Sequence, residues 1–335
     1  MMKRALAAAW LLAAVTASAA VSDGDLPSEP ARLATRTALL DIASAGPKLI
    51  AVGDRGIVLA SSDHGRTWSQ SQTPTQSLLT GVCFFDADHG VAVGHDEVAL
   101  ITADGGATWK KTHYAPQAQQ PLLAVWCGGD RAIAVGAYGT YFVSDDRGVS
   151  WDEKKMQAVG VTAAAEQAKK AAESSDAAAD GAGGGFHLNA IAGGRDGPLY
   201  IAAEAGHLYR SSNRGDSWAQ LPSPYTGSFF GVLTLDQGAV LAFGLRGNLF
   251  RSEDGGLTWQ RINSGTEAML DGGASAAEGA IRLVGLSGVI LTSGDNGKSF
   301  TLMQRDDRKG LAAVAIDAGA LITVGEAGVV AVPAQ

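Results

Sequence analysis

One unit recurs along this chain, and a recurring unit limits the fold more than composition does. It reads as a short apolar run ending in Gly, a tight turn, a second apolar run, and a Ser/Thr-x-Asp-x-Gly-x-Thr/Ser-Trp box. Copies end at Trp68, Trp109, Trp151, Trp218, Trp259 and Phe300, at intervals of 41, 42, 67, 41 and 41 residues. A seventh copy, LITVGEAGVVAV at 321–332, has both runs but no box. One more apolar run precedes each copy (for example residues 39–43, 79–85 and 311–316) and is weak only before the sixth, in 267–279. Four short strands in a period near forty is propeller spacing. Runs such as VLAF at 240–243 are apolar at consecutive positions, which implies burial on both faces, as in a blade stacked between two others. The SQSQ at 69–72 is polar, as an outer edge should be.

The expected fold is therefore all-β: a seven-bladed β-propeller of four-stranded antiparallel blades. Blade seven lacks a fourth strand after its third. Counting back ten residues from Leu39, the interval between Trp68 and Leu78, lands on Glu29, so residues 29–35 are expected to supply that strand and close the ring. The 67-residue interval marks an Ala/Gly-rich insertion at 154–187 between blades three and four, with helix formers in 163–173 and a flexible composition after them.

Residues 1–20 read as a Sec-type signal peptide: Lys3 and Arg4, an apolar stretch at 5–15, then the small residues ASAA at 17–20. Residues 21–335 are then one propeller domain, periplasmic or otherwise exported, monomeric on its own and without direct membrane insertion. The formal net charge of −8 becomes −10 once Lys3 and Arg4 are removed, which argues against nucleic-acid binding. Cys83 and Cys127 lie in the first strands of neighbouring repeats, and export permits a disulfide. Their registers leave open whether they share a face.

In each box the acid (Asp63, Asp104, Asp146, Asp254, Asp295, with Asn213 once) suits a tight turn, accepting backbone N–H groups while Gly supplies positive φ. The hydroxyl two positions after that Gly, such as Thr67 or Ser150, is expected to bond across the hairpin. The aromatics Trp68, Trp109, Trp151, Trp218, Trp259 and Phe300 are expected to pack between blades. Six near-identical copies point to scaffold, since a catalytic site needs one asymmetric constellation.

These boxes resemble the BNR/Asp-box repeat of sialidases and sortilin-type receptors. Residues 82–109, VCFFDADHGVAVGHDEVALITADGGATW, resemble more closely the photosystem II assembly/stability factor family of lumenal seven-bladed propellers, and the likeness extends over residues 26–335. It implies a non-enzymatic assembly or stability factor, with a membrane-protein complex as its protein partner. Family-like proteins of non-photosynthetic bacteria are often associated with RND-type exporters, so an exporter accessory role is a second form of this reading. The family's photosystem-binding face is arginine-rich. Here Arg55 and Arg246 stand in suitable turns, whereas His95, Tyr138, Ser287 and Glu326 occupy related ones, a departure from a photosystem-binding pattern.

The alternative is a glycan-binding or sialidase-like glycoside hydrolase. Sialidases converge three arginines on a carboxylate, beside a Tyr–Glu pair and a separate Asp. The N-terminal Arg-Ile-Pro signature is missing, and Arg210 and Arg251 recur at equivalent third-strand positions, which suits packing. Neither a cofactor fingerprint nor metal-ligand spacing is evident; His95-Asp96-Glu97 are adjacent and cannot easily converge on one ion. Strand alternation puts the boxes on one face and the turns between second and third strands on the other. That second face carries Arg55, His95, Asp96, Glu97, Tyr138, Glu204, Arg246 and Glu326, and is the expected partner-binding face.

Overall fold

The computed structural model describes residues 25–156 and 185–332. Its strands form seven sheets arranged as blades of a propeller, six of four strands and one of three. Blade one shows the pattern: inner strand Leu39–Ala45, then Lys48–Gly53, Val58–Ser61 and the outer Ser69–Ser71, each antiparallel to the last. Second strands are buried almost throughout, as their unbroken apolar runs require. The core lies between blades, in seven apolar clusters that each join one blade to the next.

Inner strands hydrogen-bond around the ring. Thr80 Oγ1 donates to the Leu122 carbonyl of the next blade (2.7 Å), and Asn189 Nδ2 to that of Phe229 (2.8 Å). Asp271 holds the same bulge position in blade six, and burial pushes its carboxyl up to about 6. Cys83 and Cys127 are joined in a disulfide between the inner strands of blades two and three, with Cα atoms 5.7 Å apart.

Two expectations are corrected. The weak segment before the sixth box is an ordinary inner strand, Leu270–Ser275, sequence LDGGAS. Its small residues are a packing requirement: a Cβ on Gly272 would lie 2.2 Å from the Ala312 carbonyl oxygen. Residues 29–35, in turn, do not complete blade seven, which among the described residues has Leu311–Asp317, Ala320–Gly325 and Gly328–Val332. Pro30 has no N–H to give a ladder. The stretch is held on blade one instead: Ser28 N donates to the Thr73 carbonyl and Thr73 N to Ser28 Oγ, both at 2.9 Å. Gln70 Nε2 donates to the Glu29 carbonyl (2.9 Å), while Gln70 Oε1 accepts from Ala31 N (2.8 Å). Beyond it a 3-10 turn, Ala34–Arg36, reaches blade seven as the link into blade one. The seam closes by packing of Leu39, Leu49 and Leu59 on Ile322 and Val324.

The signal-peptide reading lies outside the described residues, as does residues 157–184 of the insertion.

Candidate functional site

The box turns are consumed by their own hairpins. Asp63 Oδ1 accepts from Thr67 N (2.8 Å) and Ser61 Oγ (2.9 Å), and Oδ2 accepts from Thr67 Oγ1 (2.6 Å). The Thr67 hydroxyl thus bonds Asp63 itself, not the opposite strand, because four residues of turn bring it back over the carboxylate. The same set recurs at Asp104, Asp146, Asp254 and Asp295. Asn213 reproduces it with its amide, donating to Ser217 Oγ and accepting Ser217 N. Bonds from Thr67 hold the Asp63 carboxyl down at about 2, so it stays ionised with both oxygens engaged. Such a group has no proton to give near neutral pH.

Trp218 and Trp109 are buried; Trp68, Trp151, Trp259 and Phe300 are half-buried, each in a different inter-blade cluster. The box face also ties neighbours together. His64 Nδ1 meets Asp317 Oδ2 at 3.0 Å, and Arg147 Nη1 meets Asp86 Oδ2 at 3.1 Å. Arg214 Nη2 donates to the Gly128 carbonyl at 2.7 Å.

The opposite face is built from the turns between second and third strands, with the links between blades lying over them. In six blades the turn's first corner residue is left-handed: Arg55, Asp96, Tyr138, Ala205, Arg246 and Ser287, φ 51 to 59°. In five of these six a left-handed Gly follows, giving the hairpin turn whose twist matches the strands. A Cβ on Gly56, Gly206 or Gly247 would come within 2.2 Å of a link carbonyl, so the link packs directly on the turn.

Arg55, Tyr138 and Arg246 project into solvent from these corners, as does His95 beside one. Arg55 lies 3.8 Å from Asp54 and is otherwise open, its side chain 83% exposed. Tyr138 meets the His187 ring edge-on at 4.9 Å, and His187 in turn lies 3.6 Å from Glu204. Glu204 also accepts His187 N at 2.9 Å, and Glu326 accepts Gly310 N at 3.2 Å. Asp96 accepts the Ser77 hydroxyl at 2.7 Å. His95, Asp96 and Glu97 therefore diverge, and among the described residues no group of three His, Cys, Asp or Glu side chains could hold a metal ion.

Arg246 opens onto a cleft of 1110 Å³ on the rim of this face beside blade five. Tyr225, Phe250, Trp259, Arg261 and Glu267 line it with Arg246. Two guanidiniums beside aromatic rings can grip a carboxylate and stack on a planar group at once. The sequence singles out Arg246 and, as a box aromatic, Trp259; the others come from two links, a third strand and a fourth strand, which no local pattern brings together.

The sequence places Glu97 with its neighbours on the expected partner-binding face, and the structure separates it from them. It occupies the second corner, at φ 51°, where five other blades have the left-handed Gly. Its side chain is buried, 3.3 Å from His113 Nε2, and His113 packs at 4.9 Å on Phe142. Burial pushes its carboxyl up, against the lowering influence of His113. The link after blade two accommodates it with a 3-10 turn, Pro116–Ala118, and an Ala115 N bond to the Asp96 carbonyl (2.9 Å). Setting the repeats side by side shows Glu97 in the glycine column, the one sequence signal for it.

A rigid seven-bladed propeller with one self-satisfied face and one face of projecting side chains belongs to the class of scaffolds that present variable turns. The family model described as photosynthesis system II assembly factor YCF48 matches residues 60–158, from the third strand of blade one to just past the fourth strand of blade three. Over that stretch the chain is similar to the YCF48 family, in keeping with the resemblance at residues 82–109. Among curated proteins, no sequence matches it. A solved structure of YCF48 bound to D1 peptide is similar at TM-score 0.66 and 15% identity, covering 89% of this chain and 93% of that one. YCF48 from Cyanidioschyzon merolae is similar at 0.65 and 16%, covering 90% and 96%. Virginiamycin B lyase from Staphylococcus aureus reaches 0.69 at 11% identity, covering 88% and 94%. At such identities the likeness is one of fold, and this fold serves binding proteins and enzymes alike.

Proposed function

We propose that this chain is an exported, non-enzymatic scaffold whose turn face holds an extramembrane segment of a membrane-protein complex, as an assembly or accessory factor. The observation that carries the reading is the projection of Arg55, Tyr138 and Arg246 from strained corners of a rigid ring, beside a cleft with a second arginine. The YCF48 family match supports it, since one YCF48 structure holds a D1 peptide. An exporter accessory role is the form favoured for a non-photosynthetic source. Export rests on Lys3, Arg4 and the apolar run after them, and the Cys83–Cys127 bridge suits an oxidising compartment. The glycosidase alternative loses its most conspicuous candidates, since the box carboxylates are fully engaged in their turns.

The test is a double charge reversal, Arg55→Glu with Arg246→Glu, in the full chain. Co-purification of a membrane-complex partner from the native membrane fraction should fall while the melting temperature stays put. Undiminished co-purification refutes the assignment of this face.

A further inference from the structure

Among the described residues, blade seven differs from the other six in three ways. Every other third strand is paired on both sides, whereas Gly328–Val332 pairs only with Ala320–Gly325 among the described residues. Ala331 is exposed, and Val329, Val330 and Val332 are only half-buried. Third strands elsewhere, such as Val58–Ser61 or Leu249–Ser252, are buried almost throughout.

The second observation concerns the interface between blades six and seven. The other six inter-blade clusters each hold the box aromatic of their later blade: Trp68, Trp109, Trp151, Trp218, Trp259 or Phe300. The cluster of Val284, Ile290, Leu311, Val314 and Leu321 between blades six and seven holds none among the described residues.

Register supplies the third. In blade one Val52 pairs with Val58, six positions on, and the same spacing links Val93 to Ala99 and Phe243 to Leu249. In blade seven the equivalent Val324 pairs with Val329, five positions on. The turn is correspondingly tighter, Gly325 pairing directly with Gly328, and the one-residue slip exchanges the faces of the strand's side chains.

We propose that the outer edge of Gly328–Val332 is a strand-addition site for an extended segment of a partner polypeptide, led by Trp or Phe. The six complete blades define this occupant. Each fills the same slot with an aromatic that enters the inter-blade cluster, followed by a short polar strand such as Ser69–Ser71. Main-chain bonds to the free edge give affinity, and the aromatic gives specificity. The chain's own stretch at 25–31 is tied to blades one and two by the Ser28–Thr73 and Gln70 bonds and by Asp25–Lys111 at 3.1 Å. A second copy pairing edge to edge would bring GVVAV, which has no aromatic. This site lies apart from the turn face and stands whether or not that face binds as proposed.

The probe is a fluorescein-labelled peptide of sequence RTWSQSQT, residues 66–73 of this chain, titrated into the full protein and followed by anisotropy. Saturable binding is expected, weakened about tenfold or more when the peptide's Trp becomes Ala. Ala331→Pro in the chain should abolish it by removing an outward-facing N–H of this edge at unchanged melting temperature. The peptide substitution keeps the test sound if that variant fails to fold. Three results each overturn the proposal: no saturation up to ~1 mM, the affinity of a contact too weak to matter; binding indifferent to the Trp; or, in the protein without peptide, hydrogen-exchange protection of 328–332 equal to that of 58–61. The last would mean that the chain itself, or a second copy, already fills the slot, and light scattering tells these two apart.

Discussion

Replacing Glu97 with Gly should stabilise the protein. Glu97 holds a left-handed backbone at φ 51°, which costs a residue with a Cβ ~1–2 kcal/mol. Glycine relieves that strain but loses ~0.5–1 kcal/mol more entropy on folding. Losing the hydrogen bond to His113 costs a further ~0.5–1.5 kcal/mol, while releasing a buried, poorly solvated carboxylate returns ~1–3 kcal/mol. The balance is a gain of about 2 kcal/mol at pH 8. Because burial raises the Glu97 pKa, the folded state favours its protonated form, so the wild-type handicap shrinks as pH falls. The advantage of Glu97→Gly should therefore narrow toward pH 5. Urea unfolding followed by tryptophan fluorescence, at both pH values, measures it. Glu97→Ala separates the causes: it removes the carboxylate but keeps the strain, and should fall about 0.5–1 kcal/mol below the Gly variant. A Gly variant less stable than wild type, or equal to the Ala variant at every pH, refutes the reasoning.

The converse change, Gly247→Ala, sets a Cβ 2.0 Å from the Thr266 carbonyl oxygen and should lower stability by more than ~2 kcal/mol. Gly139→Ala, with nothing within 4 Å, should cost only the ~1 kcal/mol of its backbone angle, and thermal melts rank the two. Trp218→Ala removes a fully buried indole stacked edge-on against Tyr141 at 6.3 Å and should cost ~3–5 kcal/mol in urea unfolding. Asp271, raised from 3.8 to about 6, stabilises the fold while protonated, fully below pH 3.8 and not above about 6. Asp271→Asn should therefore exceed wild type in melting temperature at pH 7.5 and lose that lead as pH falls to 4.

The blade count was legible because each Asp-x-Gly-x-Thr-Trp box is a local structure whose hydrogen bonds close within five residues. A pattern that local survives any tertiary surroundings, and the position of Thr67 relative to Asp63 already implies the turn. The ring seam was not legible, because it is decided between segments far apart in sequence. Pro30 argued against a strand at 29–35, but only the pairing of Ser28 with Thr73 shows where that stretch goes instead. The inner strand at 270–275 was hidden for a related reason. Gly272 serves close approach to a neighbouring blade, and that need leaves no hydrophobic signature.

At the candidate site, polar corner residues could be placed on the correct face from strand alternation alone. Which of them point outward could not: Glu97 and Arg246 occupy near-identical turns, yet one is buried and the other opens on a cleft. The difference lies in the corner each occupies: Arg246 stands at the first, whereas Glu97 stands at the second, the position that Gly247 holds against the Thr266 carbonyl.

The ties on the box face run from each blade to its neighbour: His64 to Asp317, Arg147 to Asp86, Arg214 to the Gly128 carbonyl. Energetic coupling should therefore travel around the ring and not through its thickness. Double-mutant cycles across adjacent boxes should be non-additive, while a box change combined with a corner change such as Tyr138→Ala should simply sum. An architecture of this kind lets recognition be rewritten on one side of the disk without renegotiating what holds the other together.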